Sequence, residues 1–143
     1  MQLHQQRPGL PEARRAGCDT AIMLDMQGYV AQGYGSNVFS VRDGTVETPP
    51  TGNILEGIMR ATVIELCGEM GIPARERPMT LYHLVTADEV FESASMAEIV
   101  PIVDIGGRSV GGGEVGPMVG RVHAALRERT SSLRDSALIF NNR

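Results

Sequence analysis

The dipeptide Asp43-Gly44 constrains the fold more than any other feature of the sequence. It divides NVFSVRDGTVET, residues 37–48, into two runs of strand length. Asp-Gly between two such runs is one of the strongest short-range signals for a β-hairpin, because both residues tolerate the positive φ that a tight turn requires. The sequence therefore predicts two antiparallel strands joined by a two-residue turn.

Strand and helix patterns alternate around this hairpin. An apolar run of strand length, TAIMLD, occupies residues 20–25, and a helix is predicted at about 57–70, with Gly71 as its stop. Further strands are predicted in ARERP, EVFESA and IVPIVDI, a helical turn in TLYHLVTA with Thr80 as N-cap, and a second helix from Pro117 in GPMVGRVHAALRERT. This interleaving predicts an α+β (mixed α/β) fold with a mixed sheet and two main helices.

The length of 143 residues suits one domain with its own core. We expect an irregular arm at residues 1–11, a folded body at 12–130 and a tail at 131–143 without a clear partner. Glu56, Glu65 and Glu69 share the first predicted helix with Arg60, and their spacing predicts a solvated, charged face.

Composition and charge disfavour several classes of partner. A formal net charge of -4 and a pI near 5.3 provide no basic surface for nucleic acid or for anionic lipid. The sequence shows neither an apolar run long enough to span a membrane nor a signal-peptide pattern at its start, so we expect a cytoplasmic protein. Cys18 and Cys67 lack paired metal-ligand spacing and are expected to be reduced thiols.

The ionisable residues offer no obvious catalytic group. His4, His83 and His123 are widely separated and form neither a metal-ligand nor a triad pattern, so solvated or capping roles are expected. All 13 basic residues are Arg, and the chain contains no Lys. Chemistry that requires an ε-amino group is therefore not available within these residues.

Three segments are candidates for an anion site. GYVAQGYGSNVF, residues 28–39, brings Gly33, Gly35, a Gln and an Asn into a turn between strands. It is not a dinucleotide loop, because Val38 takes the place of the third glycine of that motif. The helix start at 57–59 leaves N–H groups unpaired, and the hydroxyls of Ser93 and Ser95 suit a phosphate. For each serine a loop hydrogen bond is the alternative. VGGGEVG, residues 110–116, leads into the second predicted helix. Its free amides could bind an anion, and the alternative is a flexible exit from a hairpin.

Four segments, in this order, carry a resemblance to a known family: EARRAGCDTAIMLDMQGYVAQGYGSNVF, the Asp-Gly hairpin ending in TPP, ILEGIMRATVIELCGEMGI, and TADEVFESASMAEIVPIVDIGGRSVGGGEVGP. Together they resemble the C-terminal part of the class IV (fold-type IV) aminotransferases, which depend on pyridoxal 5'-phosphate (PLP). That group includes branched-chain and D-amino-acid aminotransferases, (R)-selective amine transaminases and aminodeoxychorismate lyase. The resemblance runs from about Glu12 to Arg127.

The resemblance implies a cofactor site. In the family the turn before the N-[IV]-F strand reads E-G-x-G-x-N, with the Glu on the pyridine nitrogen of PLP, and G-I-[TS] at the helix start binds the phosphate together with a hydroxyl from a later turn. Carried over, these positions are Gln32, Ile58, Met59 and Ser95. The implied fold is the large C-terminal domain, a mixed barrel-like sheet. The implied substrates are an amino acid or amine and a 2-oxo acid, and the implied assembly is a homodimer.

Three departures from the family pattern bear on activity. Gln32 stands where the family has Glu, so a charge-assisted hydrogen bond becomes a neutral and weaker one. Met59 replaces a hydroxyl residue. The family's Schiff-base Lys and small N-terminal domain lie upstream of the matching segments, so no catalytic residue is assigned here. The sequence predicts part of an aminotransferase that is inactive alone, with a non-catalytic binding or interaction module as the alternative.

Overall fold

The computed structural model describes Arg15 and residues 17–53, 57–94 and 98–141, without the side chains of residue 53 and of residues 134–141. The strands are β1 Ile22–Leu24, β2 Val30–Gly33, β3 Asn37–Arg42, β4 Thr45–Thr48, β5 Ala74–Glu76, β6 Glu89–Ala94, β7 Glu98–Ile102, β8 Asp104–Ile105 and β9 Arg108–Ser109. The helices are α1 Ile58–Glu69, α2 Leu81–Val85 and α3 Pro117–Asn141, with a short 3-10 turn at Thr51–Asn53.

The predicted hairpin is confirmed as β3 and β4. Arg42 and Thr45 pair across the turn, and Asp43 and Gly44 both adopt positive φ angles, of 49° and 75°. The hairpin lies in a five-stranded sheet of order β5-β4-β3-β6-β7, in which only β4 and β5 run parallel. Mixed pairing and two long helices confirm the predicted α+β class.

Two expectations about local structure need correction. The stretch 28–39 is not all turn, because residues 30–33 form β2, which pairs with β1, and only residues 34–36 connect it to β3. The predicted strand IVPIVDI is divided at Val103 into β7 and β8. β7 continues the large sheet, whereas β8 pairs with β9 around the Gly106-Gly107 turn.

Two apolar clusters lie on opposite faces of the large sheet. The first packs α1 and α3 against Phe39 and Phe91, whose rings stack at 4.8 Å. The second packs the β1–β2 hairpin and α2 against Val38 and Val90. Alternation along β3 and β6 explains this division, because successive side chains point to opposite faces.

The C-terminal helix is longer than the sequence patterns indicated. α3 continues past Thr130 without a break to Asn141, so the expected boundary at 130 falls inside one helix. The predicted arm at residues 1–11 lies outside the described residues. Cys18 and Cys67 are free thiols, as expected. Within the described part of the chain, no helix has both the length and the hydropathy to cross a membrane.

Candidate functional site

A small cavity lies where the start of α1 meets the ends of β2 and β6 and the start of β3. Its volume is about 70 Å³, which is room for more than one water molecule. Asn37 on β3 and Ser93 on β6 are register partners, so the sheet itself brings them together. The residues that line the cavity are Gln32, Gly35, Ser36, Asn37, Gly57, Met59, Ser93 and Ala94.

The helix start faces this cavity through a glycine. Gly57 is the N-cap of α1 in an extended conformation, and no side-chain cap is formed there. A Cβ atom at this position would come within 2.4 Å of Asn37 Oδ1, so glycine allows the helix to approach β3 closely. The first-turn N–H groups and the positive end of the helix dipole favour an anion at this point.

Two serine hydroxyls of the cavity lack well-formed hydrogen bonds. Ser93 is 1% exposed, and among the described residues its Oγ has no hydrogen-bond partner, whereas Ser36 Oγ is buried beside the Glu92 carboxyl without a well-formed hydrogen bond. A buried hydroxyl without a partner is destabilising, and most buried polar atoms in proteins are paired. Both hydroxyls can donate to an oxyanion. The cavity therefore combines unpaired donors with a helix N-terminus, as a phosphate site requires.

The structure places two of the four predicted cofactor residues at this cavity. Gln32 and Met59 line the cavity. Ile58 does not line it, because its side chain is 83% exposed and only its backbone belongs to the helix start. Ser95 lies outside the described residues, and its assignment stays a prediction. The sequence analysis did not identify Ser36, and it assigned Ser95 rather than Ser93 to the phosphate. The pairing of Ser93 with Asn37 across β6 and β3 favours Ser93.

A buried carboxyl lies on the other face of β6. Glu92 is buried, and Thr20 Oγ1 donates to its Oε1 at 3.4 Å. Burial raises the pKa of Glu92 above its ordinary value, and the neighbouring hydroxyls of Ser36 and Thr20 offset this only in part. A Cβ atom on Gly33 would lie 2.1 Å from Ser36 Oγ and 2.2 Å from Glu92 Oε1, which shows how closely these groups converge.

The structure decides the alternatives for the glycine-rich segment 110–116. Glu89 of β6 is buried at the start of α3, where its carboxylate accepts from the N–H of Met118 at 3.1 Å and of Val119 at 3.0 Å. A protein side chain thus already fills the place that an anion would take. The hypothesis of a second anion site there is wrong.

Comparisons with known proteins identify the family. The family model for class IV aminotransferases, "Amino-transferase class IV", matches residues 10–105. The chain belongs to the class IV aminotransferase family. The branched-chain-amino-acid aminotransferase of Escherichia coli K12 is 44% identical over 116 residues, which cover 80% of this chain and 38% of that protein. The branched-chain-amino-acid aminotransferase of Pseudomonas aeruginosa is 40% identical over 122 residues, which cover 85% of this chain and 40% of that protein.

Solved structures of this family match the fold. The branched-chain aminotransferase of the archaeon Thermoproteus uzoniensis, solved with norvaline, has a TM-score of 0.79 and 43% identity, covering 83% of this chain and 39% of that one. The branched-chain amino acid aminotransferase of Thermobaculum terrenum, solved in its PLP form, has a TM-score of 0.81 and 39% identity. The match covers 84% of this chain and 40% of that one. The chain thus spans about two fifths of the length of these relatives.

The family's cofactor is PLP, and the phosphate half of that cofactor fits the described cavity. Unpaired hydroxyls of Ser36 and Ser93 and the uncapped start of α1 are the observations that carry the fit. No Lys is available in this chain to bind PLP covalently. Among the described residues, no group of three or more His, Cys, Asp and Glu side chains is arranged to hold a metal ion.

Proposed function

We propose that this chain supplies the phosphate-binding part of a PLP-dependent aminotransferase, with residues 12–130 as the family's C-terminal domain. The observation that carries the proposal is the convergence of two unpaired buried hydroxyls on an uncapped helix start. The relatives named above support branched-chain amino acids and their 2-oxo acids as substrates. A homodimer is the assembly that the family resemblance supports.

Five residues at the cavity and the start of α1 have roles in this proposal. Ser93 and Ser36 donate O–H hydrogens to the phosphate, and the N–H groups at Ile58 and Met59 add the helix dipole. The Gln32 amide lies at the pyridine nitrogen, where the family has a Glu, and offers it a neutral hydrogen bond. When bound, PLP supplies the electron sink for transfer of an amino group between an amino acid and a 2-oxo acid.

The same residues support inactivity of the chain alone. Without Lys, the chain offers no ε-amino group for covalent attachment of PLP or for proton transfer at the reacting carbon. In this proposal that group comes from a segment other than these 143 residues. The second candidate is a non-catalytic module that binds a phosphorylated ligand, and Gln32 and Met59, which depart from the family pattern, favour it.

A comparison of PLP with pyridoxal tests the phosphate site. Equilibrium dialysis of the full chain should show PLP bound at least about tenfold more tightly than pyridoxal, because charged hydrogen bonds are lost without the phosphate. Ser93→Ala should weaken PLP binding several-fold without lowering the free energy of unfolding, since the hydroxyl has no partner within the described protein whose loss would destabilise the fold. Ser109→Ala, at an exposed position, is the matched control.

Two results would overturn the proposed phosphate site. Equal affinity for PLP and pyridoxal would show that the phosphate contributes nothing to binding. Equal PLP affinities of Ser93→Ala, Ser109→Ala and the unaltered chain would show that the Ser93 hydroxyl does not contact the ligand.

A further inference from the structure

Glu92 is a buried carboxyl that the proposed phosphate chemistry does not use. It lies on β6 immediately before Ser93, and alternation along the strand turns it to the opposite face of the sheet from the cavity. Ser36 belongs to both sides, because it lines the cavity and lies beside the Glu92 carboxyl. One hydroxyl therefore connects the carboxyl to the site.

The protonation state of Glu92 decides what Ser36 can offer the cavity. An ionised carboxylate only accepts hydrogen bonds, so it attracts the single hydroxyl hydrogen of Ser36. A neutral carboxyl can donate to Ser36 Oγ, which leaves the Ser36 hydrogen free for a ligand. The charge of the ionised form, which is buried, also repels an anion bound in the cavity. Both effects weaken the binding of an anion when Glu92 is ionised.

We propose that Glu92 is a positioning residue for the anion site, which binds a phosphate-type dianion more tightly when Glu92 is protonated and releases it as Glu92 ionises. This inference rests on the proposed phosphate site. It assigns a pH-dependent affinity to that site through Ser36, and it requires no movement of the backbone. Burial, which favours the neutral carboxyl, supports the assignment.

Few other titratable groups face Glu92. Thr20 donates to it, and Cys18, Asp19 and Asp104 line the same cavity, of about 470 Å³, on that side of the sheet. The two described histidines lie elsewhere, with His83 against Thr80 and Arg77 and His123 paired with Glu98 at 3.4 Å. The variants Asp19→Asn and Asp104→Asn separate the contributions of the two aspartates from that of Glu92.

Sulfate is a suitable probe, because it remains a dianion over the whole range in which Glu92 can titrate. Amide chemical shifts of Ser36, Met59 and Ser93 in the full chain report its binding. As the pH rises from the ordinary pKa of a glutamate through the raised pKa of Glu92, the affinity of the unaltered chain should fall by roughly tenfold or more. Glu92→Gln keeps the size and a donor, so it should bind at all pH values as the unaltered chain does at low pH. The exposed Glu114→Gln is the matched control.

A linkage measurement tests the same inference without any variant. If sulfate favours protonated Glu92, then saturating sulfate must raise the pKa of Glu92, which the carboxyl ¹³C shift reports. An unchanged pKa, or the same pH dependence in Glu92→Gln as in the unaltered chain, would overturn the role of Glu92 while leaving the anion site intact. Absence of sulfate-dependent shifts at these amides at every pH would instead refute the anion site and, with it, this inference.

Discussion

At the residue scale, Glu47 shows how a buried charge is stabilised in this chain. It is 2% exposed and accepts from Arg75 Nε at 2.7 Å and from Arg77 Nη1 at 3.2 Å. Burial alone would raise the pKa of Glu47, but the hydrogen bonds and charges of the two arginines outweigh burial and lower it. The ionised carboxylate therefore stabilises the folded state.

This lowered pKa predicts a specific pH dependence. The stabilisation is fully present above the ordinary pKa of a glutamate and is lost as pH falls through the lower pKa of the folded state. Glu47→Gln should reduce the free energy of unfolding at neutral pH by about 1–3 kcal/mol and flatten its decline in acid. Urea unfolding at neutral and acidic pH measures both effects. A variant that declines in acid as steeply as the unaltered chain would contradict this account.

Polar residues also mark the limit of prediction from the sequence. Glu65 and Glu69 lie at the surface and pair with Arg129, as a charged helix face predicts. Arg60 on the same helix is instead buried, where Nη2 donates to Pro49 O at 3.0 Å and to Glu76 at 2.6 Å. Its partners lie 11 and 16 residues away in sequence. Local spacing contains no information about such contacts.

At the element scale, the start of α3 depends on one side chain from β6. The Glu89 carboxylate accepts from the N–H of Met118 and of Val119, which the helix itself cannot satisfy. Glu89→Ala should lower the free energy of unfolding by about 1–2 kcal/mol and speed hydrogen exchange at these two amides. Glu114→Ala, at an exposed position nearby, is the control and should change neither. Unchanged exchange at Met118 and Val119 in Glu89→Ala would refute the capping role.

The elements themselves were largely predictable, because each has a local signal. Asp43-Gly44 marked the hairpin, and Gly71 and Pro117 marked one helix end and one helix start. The division between β7 and β8 and the length of α3 were not predicted. Both depend on which strand or helix lies alongside, which the spacing of apolar residues does not reveal.

At the scale of the whole molecule, several large apolar side chains are left exposed. The most exposed are Met26, Ile58, Tyr82, Leu133 and Val115. Exposed apolar surface favours association. Sedimentation velocity of the purified chain should therefore show a concentration-dependent shift to dimers or larger species. A monomer that unfolds cooperatively and keeps one sedimentation coefficient over the whole concentration range would contradict this prediction.

The family could be identified from the order of its motifs, whereas the residues of the candidate site could be predicted only in part. Gln32, Ile58 and Met59 follow from motif positions, whereas the partnerless hydroxyls of Ser36 and Ser93 appear only once β3 and β6 are in register. The chain also spans only about two fifths of its relatives.

The most direct test of the central claim is an absorbance titration of the full chain with PLP, followed by borohydride reduction, intact mass and peptide mapping. Saturable binding at one PLP per chain, with no adduct on any side chain, is the predicted result, because the site holds the phosphate and the chain has no Lys. Absence of saturable binding, or a reduced adduct mapped to an internal side chain, would contradict it.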